Sequence, residues 1–288
     1  MKILIVTNDV TVPTYQRLIE ECHQINIETL TLNPDSISQV LPFAPDHDLL
    51  LNRYTAVMGS DLDLDLLASV DQSRCVNEFN GLRICRSKLA QQTYLQQVQQ
   101  NIIPSYFIQG QINLPSVIEF LRVNGDIFIT KPIRGNGGRG ITLFESQRSL
   151  ISYLETCHST RDQNFIIQPY LESRFELRVF MLNYSPYLII KKMGEFSGLE
   201  FRKNLSRIND IQLINAIELK QSFPTLLAQC EKLSHDLKLK LCAFDIIIDS
   251  NGTFKFLEIN AVPGWSYLEK HFKNDRNITR EILKHIIE

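Results

Sequence analysis

The stretch from residue 242 to 260, CAFDIIIDSNGTFKFLEIN, constrains the fold more than any other part of the chain. Two β-rich runs flank Asn251-Gly252, a dipeptide typical of a two-residue hairpin turn. Such a turn makes Asp245 face Glu258 directly across the hairpin. Like charges in that position are destabilising, and a cation between them reverses the sign of the interaction. The alternative is a solvated hairpin face whose two acids point at water.

A third oxygen ligand is available on the same face of this hairpin. Asn260 lies two positions beyond Glu258, and side chains two apart along a strand share a face. Two carboxylates and one amide make an oxygen-only ligand set, which suits Mg²⁺ or Mn²⁺. We predict that Asp245, Glu258 and Asn260 bind such a metal. We also expect the repulsion between the two acids to be relieved only when the metal is bound.

A glycine-rich segment, KPIRGNGGRGITLF at residues 131–144, carries the second signal. Its glycines leave the backbone bare at positions 135, 137, 138 and 140. Bare N–H groups bind phosphate well, and Lys131 places a positive charge beside them. The alternative is a mobile surface hairpin. A phosphate-binding loop and a metal hairpin in one chain support each other, because the metal holds the phosphate that the loop covers.

Composition limits the class of protein. The chain has 288 residues, 44% of them hydrophobic, and a formal net charge of −2, which argues against nucleic acid as the main partner. We expect no membrane span and no signal peptide, because the long apolar runs that both require are missing. The six cysteines show no CxxC spacing, so we expect reduced thiols and a cytoplasmic protein.

Strand-like and helix-like segments divide the chain into three parts. Residues 1–86 alternate strands and helices, which predicts a small parallel α/β domain. Residues 87–168 form a central domain that contains the glycine-rich loop. Residues 169–288 contain successive strands typical of a C-terminal antiparallel-sheet domain. The fold class is therefore a combination of α/β and α+β.

Six segments, in this order, resemble the ATP-grasp superfamily, and most closely its RimK-like carboxylate–amine ligases. The segments are RSKLAQQTYLQQVQQNIIP, TKPIRGNGGRGITLF, IIQPYLE, FELRVF, FRKNLSR and FDIIID followed by FLEINAVPG. The resemblance covers roughly residues 85 to 270 and implies the ATP-grasp fold. It also implies that ATP binds together with Mg²⁺ or Mn²⁺, as two ions.

The resemblance assigns a role to each matching residue. Phosphates would meet Lys88, Lys131, Gly137, Gly138, Arg202, Lys203 and Asn204. Adenine would be held by Gln168, Pro169, Tyr170 and Leu171, with Tyr170 as the donor because Pro169 lacks an N–H, and the ribose by Glu176. Catalysis would fall to Arg178, Arg202 and Lys131, with metal at Asp245, Glu258 and Asn260. Strand alternation puts Arg178 on the face shared with Glu176.

The activity that the resemblance implies is ATP-dependent amide formation through an acyl phosphate. The substrate would be a small amino acid, a peptide or a peptide tail, and relatives often form homo-oligomers. Two alternatives remain open: a phosphotransferase that acts on a hydroxyl, and a non-catalytic ATP-binding module. AVPGW departs from the Ser-rich turn usual in the family, so Trp265 is a candidate wall of the acceptor pocket. Arg53 and Tyr54 are candidates for contact with the acceptor, with simple structural roles as the alternative.

Overall fold

The computed structural model of the protein describes residues 1–36, 45–55, 61–133, 140–158, 164–192, 211–272 and 276–287. These residues form three sheets, of three, five and four strands. Their apolar side chains pack into three hydrophobic clusters. Within the same ranges, every helix is too short or too polar to cross a bilayer.

The first sheet is parallel, with strand order β2-β1-β3. Ile3, Leu4, Ile5 and Val6 of its central strand are completely buried, as expected for a parallel strand covered on both faces. Pro13 opens the first helix, where its fixed φ suits the first turn. The predicted parallel α/β arrangement is confirmed. The elements are β1 (Lys2–Val6), α1 (Pro13–Gln24), β2 (Glu28–Leu32), β3 (Leu49–Asn52), α2 (Leu62–Leu67) and α3 (Phe79–Arg86).

The second sheet has four strands in the order β4-β7-β5-β6, and each described pairing is antiparallel. Strands β5 and β6 pair in the antiparallel direction, with Phe128 opposite Phe144. Ser87 starts the helix that carries Lys88 by accepting a hydrogen bond from the Ala90 N–H. The elements are α4 (Lys88–Gln97), β4 (Tyr106–Gln109), α5 (Leu114–Asn124), β5 (Phe128–Pro132), β6 (Thr142–Phe144), α6 (Gln147–His158) and β7 (Asn164–Pro169).

The third sheet is antiparallel, with strand order β10-β9-β8-β11-β12. The prediction of successive antiparallel strands in this part of the chain is confirmed. Pro224 separates two helices in this part of the chain, one that ends at Ser222 and one that begins at Leu226. The elements are β8 (Ser173–Leu182), β9 (Ser185–Lys192), β10 (Ile211–Leu213), α7 (Ala216–Ser222), α8 (Leu226–Asp236), β11 (Leu241–Asp249), β12 (Phe254–Asn260), α9 (Ser266–Phe272) and α10 (Ile278–Ile287).

The first and third sheets share their hydrophobic cores, whereas the second sheet has a core of its own. One shared cluster joins Leu4 and Val6 of β1 to Phe244 of β11. The other joins Ile3 and Ile5 of β1 to Ile282 of α10. The cluster under the second sheet draws on residues between 106 and 167. The start of the chain is therefore packed against elements made more than 150 residues later.

Candidate active site

The hairpin of β11 and β12 brings Asp245 opposite Glu258, so the predicted pairing is confirmed. The predicted two-residue turn is wrong. Asp249 faces Thr253, and three residues, 250–252, make the turn. The cause is the Asp249 side chain, whose Oδ1 accepts hydrogen bonds from the N–H groups of Asn251 at 3.0 Å and Thr253 at 2.9 Å. Gly252 supplies the positive φ, 78°, that closes such a turn.

A β-bulge compensates for the longer turn. Ile246 pairs with Phe256, whereas the next residue on β11, Asp245, pairs with Glu258. Leu257 is therefore the extra residue, and the register shifts by one position at this point. Without the shift Glu258 would face Phe244, on the apolar side of the sheet. The bulge is thus what places the two carboxylates on one face.

Asp245 is surrounded by positive charge before any metal is considered. Arg178 donates two hydrogen bonds to it, Nε to Oδ1 at 2.8 Å and Nη2 to Oδ2 at 2.5 Å. Lys192 donates a third, at 3.2 Å. Burial by itself raises the pKa of Asp245, but the charges of Arg178 and Lys192 hold that pKa well below its ordinary value. The expectation that only a metal relieves the repulsion at Asp245 is therefore wrong.

Arg178 and Glu176 lie on the same face of β8, as strand alternation predicts. Leu177 and Val179 point the other way, into the shared core. Lys192 of β9 links the pair of acids on this face, with Nζ 3.6 Å from Glu176 and 3.2 Å from Asp245. Burial lowers the pKa of Arg178, but the Asp245 charge and hydrogen bonds more than offset this, so the pKa is raised overall.

Sequence reasoning missed Lys192 and Tyr267. Alternation along β9 could have separated Lys192 from Lys191, whose Nζ lies 4.4 Å from the Phe175 ring centroid. Nothing in the sequence marks Tyr267, whose pKa is raised to about 12, mainly by burial. Its hydroxyl is buried beside the Arg178 guanidinium, whose positive charge lowers the Tyr267 pKa and partly offsets the effect of burial. Both side chains belong to the charged group around Arg178 and Asp245.

Lys131, Lys88 and Glu258 form a second charged group. Lys131 is half-buried on β5, and burial lowers its pKa to about 8. The negative charge of Glu258 raises that pKa, and the positive charge of Lys88 lowers it further. The Nζ of Lys88 also donates to the carbonyl of Ile133 at 3.5 Å. Three residues far apart in sequence are therefore close enough to sense each other's charge.

The proposed adenine strand is β7. Gln168 is buried opposite Ile129, and its Nε2 donates to the Ser105 hydroxyl at 2.6 Å. Its Oε1 is buried and has no partner within the described ranges. The Tyr170 N–H donates to the carbonyl of Ile127 at 2.8 Å, because the pairing with β5 continues past the strand end. This N–H is therefore already used within the sheet, and the expectation that it donates to adenine is wrong. Pro169 is buried and Leu171 half-buried.

Several predicted site residues lie outside the described residues. They are Gly137, Gly138, Arg202, Lys203 and Asn204.

The idea that Trp265 lines an acceptor pocket is wrong. The side chain is completely buried, and its Nε1 donates to the Thr279 hydroxyl at 2.9 Å. The Arg53 guanidinium lies 4.7 Å from the ring centroid and donates to the Pro263 carbonyl at 2.9 Å. Tyr54 donates to Asp35 at 2.8 Å. These contacts give Trp265, Arg53 and Tyr54 the structural role that was the alternative.

Comparison with known proteins identifies the family. The family description RimK-like ATP-grasp domain matches residues 85–286. The chain belongs to the RimK-like ATP-grasp family. A probable alpha-L-glutamate ligase of Rhodopirellula baltica is 26% identical over 203 residues, covering 70% of this chain and 47% of that protein. One of Haemophilus ducreyi is 23% identical over 307 residues, covering 96% and 95%.

A solved ATP-grasp ligase has the same fold. The Chryseobacterium gregarium RiPP-associated ATP-grasp ligase, in complex with ADP and a leader and core peptide, superposes with a TM-score of 0.72. It is 15% identical, and the match covers 99% of this chain and 96% of that one. The chain spans about half the length of the first relatives it matches, with 47%, 59% and 45% of their lengths covered.

The donor chemistry at the hairpin fits a hard divalent cation. Asp245, Glu258 and Asn260 present only oxygen donors on one sheet face. Within the described part of the chain, Glu258 makes no hydrogen bond or ion pair, so its carboxylate is available. Asn260 Oδ1 accepts from the Val262 N–H at 3.0 Å and retains a second lone pair. The described residues contain no cluster of three or more His, Cys, Asp or Glu side chains, so the amide oxygen is needed to complete the set.

Proposed function

We propose that the protein is an ATP-dependent carboxylate–amine ligase that forms an amide or peptide bond through an acyl phosphate. The observation that carries the proposal is the shared face of β11 and β12, where Asp245 and Glu258 meet beside Lys131. Two carboxylates with a nearby lysine suit the triphosphate of a metal-bound ATP. Membership of the RimK-like ATP-grasp family supports the same assignment.

The nucleotide would lie between the second and third sheets. Asp245, Glu258 and Asn260 would hold Mg²⁺ or Mn²⁺, as two ions, which neutralise phosphate charge when bound. Lys88 and Lys131 would contact the phosphates, together with Gly137, Gly138, Arg202, Lys203 and Asn204. Glu176 would bind the ribose, and β7 would hold adenine through Gln168, Pro169, Tyr170 and Leu171. In this proposal the buried Gln168 Oε1 and the Pro169 carbonyl accept hydrogen bonds from the adenine amino group, because the Tyr170 N–H already donates to Ile127.

The reaction would proceed in two steps. A carboxylate oxygen of the acid substrate attacks the γ-phosphorus of ATP, and the bond to the β-phosphate oxygen breaks to give an acyl phosphate and ADP. The amine then attacks the acyl carbon, and inorganic phosphate leaves. Arg178, which donates two hydrogen bonds to Asp245, and Arg202 would stabilise the charge on the transferred group. The glycine-rich loop would exclude water, which hydrolyses acyl phosphates.

We propose an amino acid, a peptide or a peptide tail as substrate. The relatives named as glutamate ligases and the RiPP-associated ligase bound to a peptide support this class. A cytoplasmic enzyme fits the six free cysteines. We also propose that the protein forms a homo-oligomer.

Hydroxylamine trapping tests the reaction. The enzyme is incubated with Mg²⁺–ATP, hydroxylamine and a panel of amino acids and peptides, while ADP release and products are followed by mass spectrometry. We expect a hydroxamate of the acid substrate, because only an acyl phosphate reacts in this way. Glu258→Gln serves as the control for ATP hydrolysis by contaminants. A stable phosphate ester without hydroxamate would instead identify a phosphotransferase, and no nucleotide turnover with any substrate would contradict the enzyme proposal.

A further inference from the structure

The inference concerns the backbone groups on the outer edge of β12. This strand lies at the end of its sheet, so alternate backbone groups point away from β11. Before the bulge, the even-numbered residues face outward: Phe254 accepts from Asn101 Nδ2 at 2.7 Å, and the Phe256 N–H donates to the Asn101 carbonyl at 2.8 Å. After the bulge, the odd-numbered residues face outward, beginning with Ile259. The bulge causes this switch from even-numbered to odd-numbered residues, just as it causes the register shift relative to β11.

Gln91 of α4 binds both backbone groups of Ile259. Its Nε2 donates to the Ile259 carbonyl at 2.9 Å, and its Oε1 accepts from the Ile259 N–H at 2.9 Å. The side chain is only 2% exposed, so water cannot replace these bonds. A carboxamide that pairs with one residue in this way imitates a neighbouring strand. This pairing with Ile259 is possible only in the bulged register. In the unshifted register the backbone N–H and C=O groups of Glu258 and Asn260 would point outward, and those of Ile259 would point toward β11.

We infer that Gln91 is a positioning residue that locks the bulged register and so holds Glu258 and Asn260 on the face of Asp245. Ile259 lies between these two ligands, so fixing its backbone fixes both neighbours. Gln91 also lies one helical turn after Lys88 on α4. One helix therefore links a phosphate-binding lysine to the backbone that carries the metal ligands. The inference rests on the metal site in the proposed function.

The first experiment measures the backbone lock without metal. Site-resolved hydrogen exchange on metal-free protein compares wild type with Gln91→Leu and with Gln91→Asn, whose carboxamide is one methylene shorter. We expect the Ile259 amide to exchange faster in both variants. The Phe256 amide should keep its protection, because it is bonded to a backbone carbonyl on the other side of the bulge. An unchanged Ile259 amide would overturn the inference.

The second experiment separates positioning from general damage. Calorimetry measures the affinity for ATP with Mg²⁺ and for ATP in a chelator. Loss of a partner that orients a metal ligand typically lowers metal affinity by about 10–100-fold. Gln91→Leu should therefore weaken the binding of Mg²⁺–ATP by that factor and leave the affinity for metal-free ATP unchanged. The matched control is Gln92→Leu on the same helix. Gln92 is 7% exposed, and its Oε1 has no partner among the described residues.

The outcomes distinguish the two hypotheses. Equal losses with and without Mg²⁺, or the same loss in Gln92→Leu, would mean that Gln91 is only structural. If Glu258→Gln keeps the wild-type preference for Mg²⁺–ATP, the metal site itself is wrong. Hydrogen exchange at Ile259 would still decide in that case whether Gln91 locks the register. If Gln91→Leu fails to fold, Gln91→Asn provides both measurements with a smaller change.

Discussion

At the scale of single residues, the two acids of the hairpin are not equivalent. Asp245 binds Arg178 and Lys192, whereas Glu258 has no ion pair among the described residues. Breaking a buried ion pair costs about 3–5 kcal/mol, so Asp245→Asn should lower the unfolding free energy of the metal-free protein by about that amount. Glu258→Gln should stay within about 0.5 kcal/mol of wild type, because the repulsion of Asp245 that it removes is offset by the lost attraction to Lys131.

Urea denaturation with and without Mg²⁺–ATP measures both effects. A ligand that binds only the folded state stabilises it, so wild type should gain stability from Mg²⁺–ATP, and Glu258→Gln should lose most of that gain. A large loss of metal-free stability in Glu258→Gln would make Glu258 a structural partner. A preserved gain would put the metal elsewhere.

Lys131 gives a prediction about protons. Its pKa, lowered to about 8 mainly by burial, leaves part of the population neutral at slightly alkaline pH. Bound phosphates favour the charged form, so ATP binding should take up protons near pH 8, and affinity should fall as pH rises above that value. Calorimetry in two buffers of different ionisation enthalpy measures the uptake. Lys131→Met should abolish it and weaken ATP binding by about 1.5–3 kcal/mol. Uptake that persists in Lys131→Met would assign the proton to another group.

At the scale of elements, Glu21 joins α1 to α10. The carboxylate is 1% exposed and binds Arg17 at 2.6 Å, Arg280 at 2.7 Å and Asn277 at 2.7 Å. Burial by itself raises the pKa of Glu21, but the hydrogen bonds from Asn277 and Arg280 and the charge of Arg17 bring it below the ordinary value. Because the folded pKa is the lower one, the stabilisation is present above the unfolded pKa of about 4.3 and is lost as pH falls through the folded pKa.

Glu21→Gln should therefore lower the unfolding free energy by about 1–3 kcal/mol at pH 7, the cost of an impaired buried charged group. The gap to wild type should narrow as pH falls below about 4. Urea denaturation across this pH range provides the measurement. Glu20→Gln is the control, because Glu20 also contacts Arg17, at 3.0 Å, but is 60% exposed. A gap that does not change with pH would contradict the electrostatic explanation.

The hairpin shows how far local sequence rules extend. The Asn251-Gly252 rule predicted a hairpin and the pairing of Asp245 with Glu258, and both are confirmed. The predicted turn was one residue too short, because the Asp249 side chain favours a longer turn. The bulge restores the pairing of Asp245 with Glu258. Gln91, which binds the backbone of Ile259 next to the bulge, lies 168 residues from it in sequence. No local rule reveals such a contact.

At the scale of the whole molecule, the family, the fold and the strand directions were predictable from ordered segments and periodicity. Packing was not. Trp265 follows the β11–β12 hairpin in sequence, but its ring lies in the core beneath Arg53. Lys192 and Tyr267 join the candidate site only because β9 and α9 meet β8 and β11 in three dimensions. Such positions depend on contacts between distant segments.

The core shared by the first strand and the last helix has a consequence for biosynthesis. Ile3, Ile5 and Leu18 belong to the same buried cluster as Ile282 and Ile286 of α10. A ribosome adds about 5–20 residues per second, so this apolar face stays uncovered for on the order of 10–50 s after it leaves the exit tunnel. Residues 1–36 therefore cannot bury this apolar face completely before α10 has been made. Until α10 is made, this exposed apolar surface is prone to aggregation.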